Sequence, residues 1–93
     1  MHRHKKKLGQ HFLHDKNLIN KLVRYISPHS NDYMLEIGPG QGILSQIISR
    51  HVKRLILIEK DRDLIKSLER LFCESKNVQI FNNKTYDSIN RID

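Results

Sequence analysis

The sequence predicts an α/β fold built on a parallel sheet, with three strands interleaved with helices. Three observations predict it. Apolar runs of strand length alternate with segments of helical period, a glycine-rich turn joins the first strand to the helix after it, and an acid stands at the end of the second strand.

The elements follow in chain order. Asp15 is suited to cap a helix whose apolar residues are Leu18, Ile19, Leu22, Val23 and Ile26, a stripe on one helical face. Pro28 stops that helix, and His29-Ser30-Asn31-Asp32 reads as a turn. Tyr33 to Ile37 is a short apolar run ending at glycines, expected to be a buried strand. A second helix is expected from about Gln41, with Ile43, Leu44, Ile47 and Ile48 facing inward. Leu55-Ile56-Leu57-Ile58 is continuous and apolar, the pattern of a strand covered on both faces. Asp61 is placed to cap a third helix carrying Leu64, Ile65, Leu68, Leu71 and Phe72, with Cys73 expected in the core beside them. Val78-Gln79-Ile80-Phe81 completes the strands, and the polar residues after Asn82 show no period. Strands separated by helices require right-handed crossovers, hence a parallel, doubly wound arrangement. Three strands make half of such a sheet, so the other half is expected to follow the last residue.

Composition narrows the function classes. A chain of 93 residues supports one small domain. A mean hydropathy of −0.59 and the lack of a long apolar run argue against a transmembrane helix. The lone Cys73 permits no internal disulfide, which fits a reducing cytoplasm. Six histidines raise a metal site, but none has a partner at a recognised ligand spacing, so no metal is expected. Alanine is absent while Ile, Lys and Asn are abundant, a codon bias that says nothing about fold.

Charge is unevenly placed. Of the net +7, residues 1–24 carry +6, from Arg3, Lys5, Lys6, Lys7, Lys16, Lys21 and Arg24 against Asp15 alone. The expected organisation is a basic arm over 1–14 followed by a ligand-binding domain over 15–93. Charge alone leaves two readings of the arm open, a segment that contacts nucleic-acid phosphates and a solvated leader.

In Gly38-Pro39-Gly40-Gln41-Gly42 the glycines fall at alternate positions between strand and helix. Glycine permits the tight turn and lets a ligand approach the backbone. A dinucleotide loop would read G-x-G-x-x-G, but Ile43 stands where the last glycine belongs. That favours a cofactor without a pyrophosphate. Glu59, seventeen residues beyond Gly42, is placed to accept bonds from ribose hydroxyls, with Lys60 and Asp61 flanking the base. Glu36 within the first strand is a carboxylate whose burial requires a partner, either the loop backbone or, through water, the cofactor's amino group. Ser45 forms no nucleophile–base pair with Asp61 or Asp63.

Three blocks carry a resemblance: Lys6-Lys7-Leu8-Gly9-Gln10-His11-Phe12-Leu13, then Leu35 through Gly42, then Ile58-Glu59-Lys60-Asp61-Arg62-Asp63-Leu64. With them the chain resembles the ribosomal RNA adenine dimethyltransferases, over essentially all of its length and about the first third of a typical member. The K-x-x-G-Q-x-F-L block is the discriminating one. The resemblance implies the N-terminal half of a Rossmann-like class I methyltransferase sheet. It also implies S-adenosyl-L-methionine as cofactor, small-subunit rRNA or the immature small ribosomal subunit as partner, and a cytoplasmic location. Carried over by position, it assigns cofactor contacts to His11, Leu13, Gly38, Gly40, Gly42 and Glu59. His11 stands where members usually have Asn, so the hydrogen bonding there is altered.

Two further departures matter. Where members have an Asp that contacts the adenine amino group, an ungapped alignment places Lys84, which has no acceptor. Either Asn83 takes that position by a one-residue slip, or the adenine end of the pocket is changed. Family catalysis also depends on an N-L-P-Y type motif that positions the exocyclic amine and stacks the flipped base. These residues contain no such motif. The expectation is therefore a chain that binds the methyl donor without positioning the acceptor, with no catalytic residue of its own. A non-catalytic remnant or RNA-binding module is the alternative, and a DNA-directed relative is disfavoured by the intact G-Q-x-F-L block. The first strand's open edge is expected to make the isolated chain marginally stable and prone to self-association.

Overall fold

The computed structural model describes residues 15–83; the expected basic arm over 1–14 and the tail from residue 84 lie outside them. In chain order the elements are α1 (Lys16–Ile26), β1 (Tyr33–Ile37), α2 (Ile43–Ser49), β2 (Arg54–Glu59), α3 (Arg62–Leu71) and β3 (Val78–Asn82). The strands form one parallel sheet in the order β1-β2-β3.

Local chemistry sets the helix ends. The Asp15 carboxylate accepts from the N–H groups of Asn17 and Leu18 at 3.0 and 3.2 Å, satisfying donors that an α-helix leaves unpaired at its start. At the other end of α1, Ser27 adopts a left-handed conformation (φ 51°) and its N–H donates to Val23 O at 2.8 Å, with Pro28 next in the chain. Asp61 caps α3 in the same way, accepting from Asp63 N at 2.8 Å and Leu64 N at 3.3 Å. Asp61→Ala is expected to cost about 1 kcal/mol while Asp61→Asn costs little, as read by urea unfolding.

Strand register places the core. In-register partners across a parallel sheet share a face, so Met34, Leu55 and Val78 lie on one side together with Glu36, Leu57 and Ile80. Onto this side α2 and α3 bring Ile48 and Leu68, and the turns after them bring Val52 and Phe72. Leu55, Leu57 and Leu68 are completely buried. Asn77 ties this layer together, its side-chain amide donating to Ser49 O at 2.7 Å and Val52 O at 3.2 Å beyond the C-terminal end of α2. The stripe of α1 packs on α2, with Ile19 buried.

Four sequence expectations are corrected. β1 is not a buried strand: Tyr33, Leu35 and Ile37 are 65, 51 and 64% exposed, because α2 and α3 cover only the opposite face. For the same reason β2 has helices on one face; on the other, Ile56 is half-buried while Ile58 is buried. Cys73 is exposed, because α3 ends at Leu71 and the helical period stops before reaching it; the core position goes to Phe72. α2 begins at Ile43 rather than near Gln41, since Gly42 at φ 80° is outside helical backbone.

Candidate cofactor site at the strand ends

The carboxyl ends of the three strands meet at one edge, where β1 runs into Gly38, β2 ends in Glu59 and β3 ends in Asn82 beside it in register. Ligands of open α/β sheets bind outside this edge. The glycine loop is anchored to it by two bonds. Gly38 N donates to Ile58 O at 2.8 Å, and Gly40 N donates to the Glu59 carboxylate at 3.3 Å. A turn closed by Gly42 N on Pro39 O at 3.0 Å then delivers the chain into α2.

The three loop glycines serve different ends. All have positive φ, at 70° for Gly38, 60° for Gly40 and 80° for Gly42. A Cβ on Gly38 or Gly40 would meet no atom of the described residues within 4 Å, so among these residues their surfaces face open space that a ligand can occupy. A Cβ on Gly42 would lie 2.8 Å from Leu68 Cδ2 and 3.0 Å from Leu71 Cδ2, so Gly42 faces α3 rather than that space. The missing side chain of Gly42 thus lets α3 approach the loop.

Glu59 is 6% exposed, and among the described residues its carboxylate is held by backbone donors. One oxygen accepts from Lys60 N at 2.9 Å and Asp61 N at 3.0 Å, while among the described residues the other receives only the longer bond from Gly40. A carboxylate oxygen accepts two bonds, so the second oxygen retains capacity for a ligand hydroxyl. A carboxylate held in this way needs no rearrangement to accept it.

Glu36 lies on the core side of β1, where its carboxylate accepts from Ser45 Oγ at 2.7 Å. Its partner is thus this hydroxyl on α2 rather than the loop backbone that sequence reading offered. Ser45 is completely buried, so the bond pins α2 to β1 directly behind the loop. Burial pushes the Glu36 carboxyl above its ordinary value of 4.5, opposed in part by the Ser45 bond, which favours the charged form. Below 4.5 the folded and unfolded chains both hold this proton; as pH rises the unfolded chain releases it first, and stability falls until the folded group also ionises. Glu36→Gln keeps an acceptor for Ser45 and removes the titration. Its stability relative to the parent should therefore climb with pH through that window and level off above it, in urea melts from acid to neutral pH. A pH-independent difference would exclude Glu36 as the source.

Of the other expected contacts, His11 and Leu13 lie outside the described residues, as does Lys84. Asn83 is half-buried just past β3, near the strand-end edge. Sequence reasoning missed Ser45 and Asn77 as structural partners. Neither stands in a motif, and their roles arise only when distant segments meet.

A parallel three-stranded sheet with both helices on one face, and a G-x-G-x-G loop answered by an acid one strand away, define a Rossmann-like α/β protein of the methyltransferase class. The family model for ribosomal RNA adenine dimethylase matches residues 1–88, and the chain belongs to that family. It is 46% identical over 81 residues to a ribosomal RNA small subunit methyltransferase A from Nitrosococcus oceani, an alignment covering 87% of this chain and 31% of that protein. The protein of the same name from Coxiella burnetii is 40% identical over 79 residues, covering 85% of this chain and 31% of the relative. Among solved structures, the 23S rRNA methyltransferase ErmE superimposes with a TM-score of 0.68 at 26% identity, covering 74% of this chain and 28% of that one. A dimethyladenosine transferase from Plasmodium falciparum gives 0.69 at 23% identity, covering 73% and 26%, and shows the shared fold. The chain thus spans about a third of the length of the curated relatives it matches.

Proposed function

We propose that this chain forms the methyl-donor half of an S-adenosyl-L-methionine-dependent rRNA adenine dimethyltransferase, acting on adjacent adenines of small-subunit rRNA during ribosome maturation. The observation that carries it is the cradle at the strand ends, where Gly38 and Gly40 face open space beside a carboxylate with acceptor capacity left. These features fit the cofactor. Glu59 would accept from the ribose hydroxyls, Gly38 and Gly40 would lie against the ligand, and His11 and Leu13 of the arm would complete the contacts. Bound there, the cofactor supplies a methyl group on a positively charged sulfonium. The chain's own residues bind and orient it; the residues that position the acceptor amine are not found among these 93.

The proposed organisation is a basic arm over 1–14 and a cofactor-binding domain over 15–93, acting in the cytoplasm where small subunits mature. Among the described residues no helix is long and apolar enough to cross a membrane. The exposed Tyr33, Leu35 and Ile37 on edge strand β1 support self-association of the isolated chain. Sedimentation should show concentration-dependent dimers or larger species, and a strictly monomeric chain would remove this part of the reading.

Calorimetry with S-adenosyl-L-methionine tests the central proposal. Saturable heat is expected, and no heat at about 1 mM cofactor, where binding would be weaker than about 4 kcal/mol, would overturn it. Methyl transfer to immature small subunits by the chain alone is expected to be absent, because no N-L-P-Y type motif is present. Clear turnover would refute the need for that motif. That same lack favours the second reading, an RNA-binding module, which RNA affinity without cofactor heat would select.

A further inference from the structure

A second concave surface lies between α1 and α2, a groove of about 220 Å³ lined by Lys16, Ile19, Asn20, Ile43, Gln46, Ile47 and Arg50. Its floor is apolar, with Ile19 buried and Ile43 and Ile47 half-buried, while Lys16, Asn20 and Arg50 stand exposed at its rim. The volume falls below the several hundred Å³ of a pocket that encloses a whole cofactor, and suits one planar or similarly small group. Charge around it is one-sided. α1 and α2 with their cap residues carry Lys16, Lys21, Arg24 and Arg50 against the single acid Asp15, whose carboxylate is engaged by the N–H groups of Asn17 and Leu18, whereas α3 mixes Arg62, Lys66 and Arg70 with Asp63 and Glu69.

We propose that this groove is a contact surface for single-stranded RNA, seating one unstacked base on the isoleucine floor. Lys16 and Arg50 take phosphates on either side of it, and the amides of Asn20 and Gln46 offer both donors and acceptors to the base edge. Apolar walls with cations at the rim match a polyanion whose bases have apolar faces. An acidic protein segment would match the cations but leave the floor and the amides without partners. The inference rests on the RNA-directed reading above, and places a contact for that partner on a surface separate from the glycine loop.

The test uses the full 93-residue chain and a fluorescein-labelled single-stranded RNA of mixed sequence, followed by anisotropy over a range of salt. Lys16→Gln/Arg50→Gln should weaken binding roughly fivefold per lost contact at 0.1 M salt, and lower the slope of log K against log salt by about 1.4. A matched control, Lys66→Gln/Arg70→Gln on α3, removes the same charge and should change affinity less than about twofold if binding is local. Equal loss in the two double variants would reduce the effect to net charge and overturn the proposal. Failure of the parent chain to bind RNA would overturn it too, as would poly-glutamate binding that depends on Lys16 and Arg50 in place of RNA. Asn20→Ala/Gln46→Ala should flatten the preference among the four homopolymeric RNAs without changing the salt slope; an unchanged preference, or none in the parent, would remove the base seat. Circular dichroism melts of each variant separate these outcomes from unfolding. Calorimetry with S-adenosyl-L-methionine on Lys16→Gln/Arg50→Gln should match the parent, so failure of the groove and failure of the cofactor reading are read separately.

Discussion

Replacing Gly42 by alanine is expected to destabilise the chain by about 3 kcal/mol, from two sources that act together. The first is backbone strain, since a side chain at φ 80° costs roughly 1–3 kcal/mol. The second is overpacking, about 1–3 kcal/mol in a close-packed core. The new Cβ would stand 2.8 Å from Leu68 Cδ2, and Leu68 has no exposed surface through which to retreat. Leu71, at 40% exposed, has room to yield, so Leu68 decides the outcome. A domain of this size has a total stability of about 5–14 kcal/mol, so the variant should melt roughly 15 °C lower or fail to fold. Gly38→Ala makes the contrast. It adds strain of about 1 kcal/mol but meets no neighbour, so the fold should survive while cofactor heat drops. Thermal melts of the two variants side by side check this ordering. Equal losses at Gly38 and Gly42 would mean that α3 does not rest on the loop as described.

Glu59→Ala should have the largest effect on the site. The carboxylate satisfies the N–H groups of Gly40, Lys60 and Asp61, and leaving a buried donor unmet costs about 1–3 kcal/mol. Lys60 and Asp61 are exposed enough for water to replace part of that loss, so a net cost of about 2–3 kcal/mol is expected. Binding should suffer more than folding, because the ribose acceptor and the bond anchoring Gly40 disappear together. Calorimetry should find no saturable cofactor heat, under conditions where urea melts still show a folded majority. Glu59→Gln should fall between: it keeps one acceptor oxygen, but its amide group faces backbone donors that it cannot accept. Cofactor heat from Glu59→Ala equal to the parent's would end the assignment of this residue to the ligand.

Much of the molecule was legible from residue order because its signals are local. Helical period, the aspartate caps at Asp15 and Asp61, and the apolar run from Leu55 to Ile58 act within a few residues and set element type wherever the chain finally packs. The glycine spacing and Glu59 marked the site because loop and acid each close a strand, and parallel strands bring their carboxyl ends to one edge. Sequence alone therefore determined the α/β order, the aspartate-capped starts of α1 and α3 and the location of the candidate cofactor cradle.

Tertiary structure decided what those parts touch. That Gly42 makes room for Leu68 while Gly38 and Gly40 face open space depends on the docking of α3, twenty or more residues away. The Glu36–Ser45 bond and the Asn77 clamp likewise join segments whose proximity no local pattern encodes. The one-sided cover of the sheet, which leaves Leu35 and Ile37 exposed, follows from which face the helices occupy, and an apolar run reads alike whether one face or both are buried. Short-range sterics and capping are written in neighbouring residues; packing and hydrogen bonds across the sheet are fixed only when the chain closes on itself.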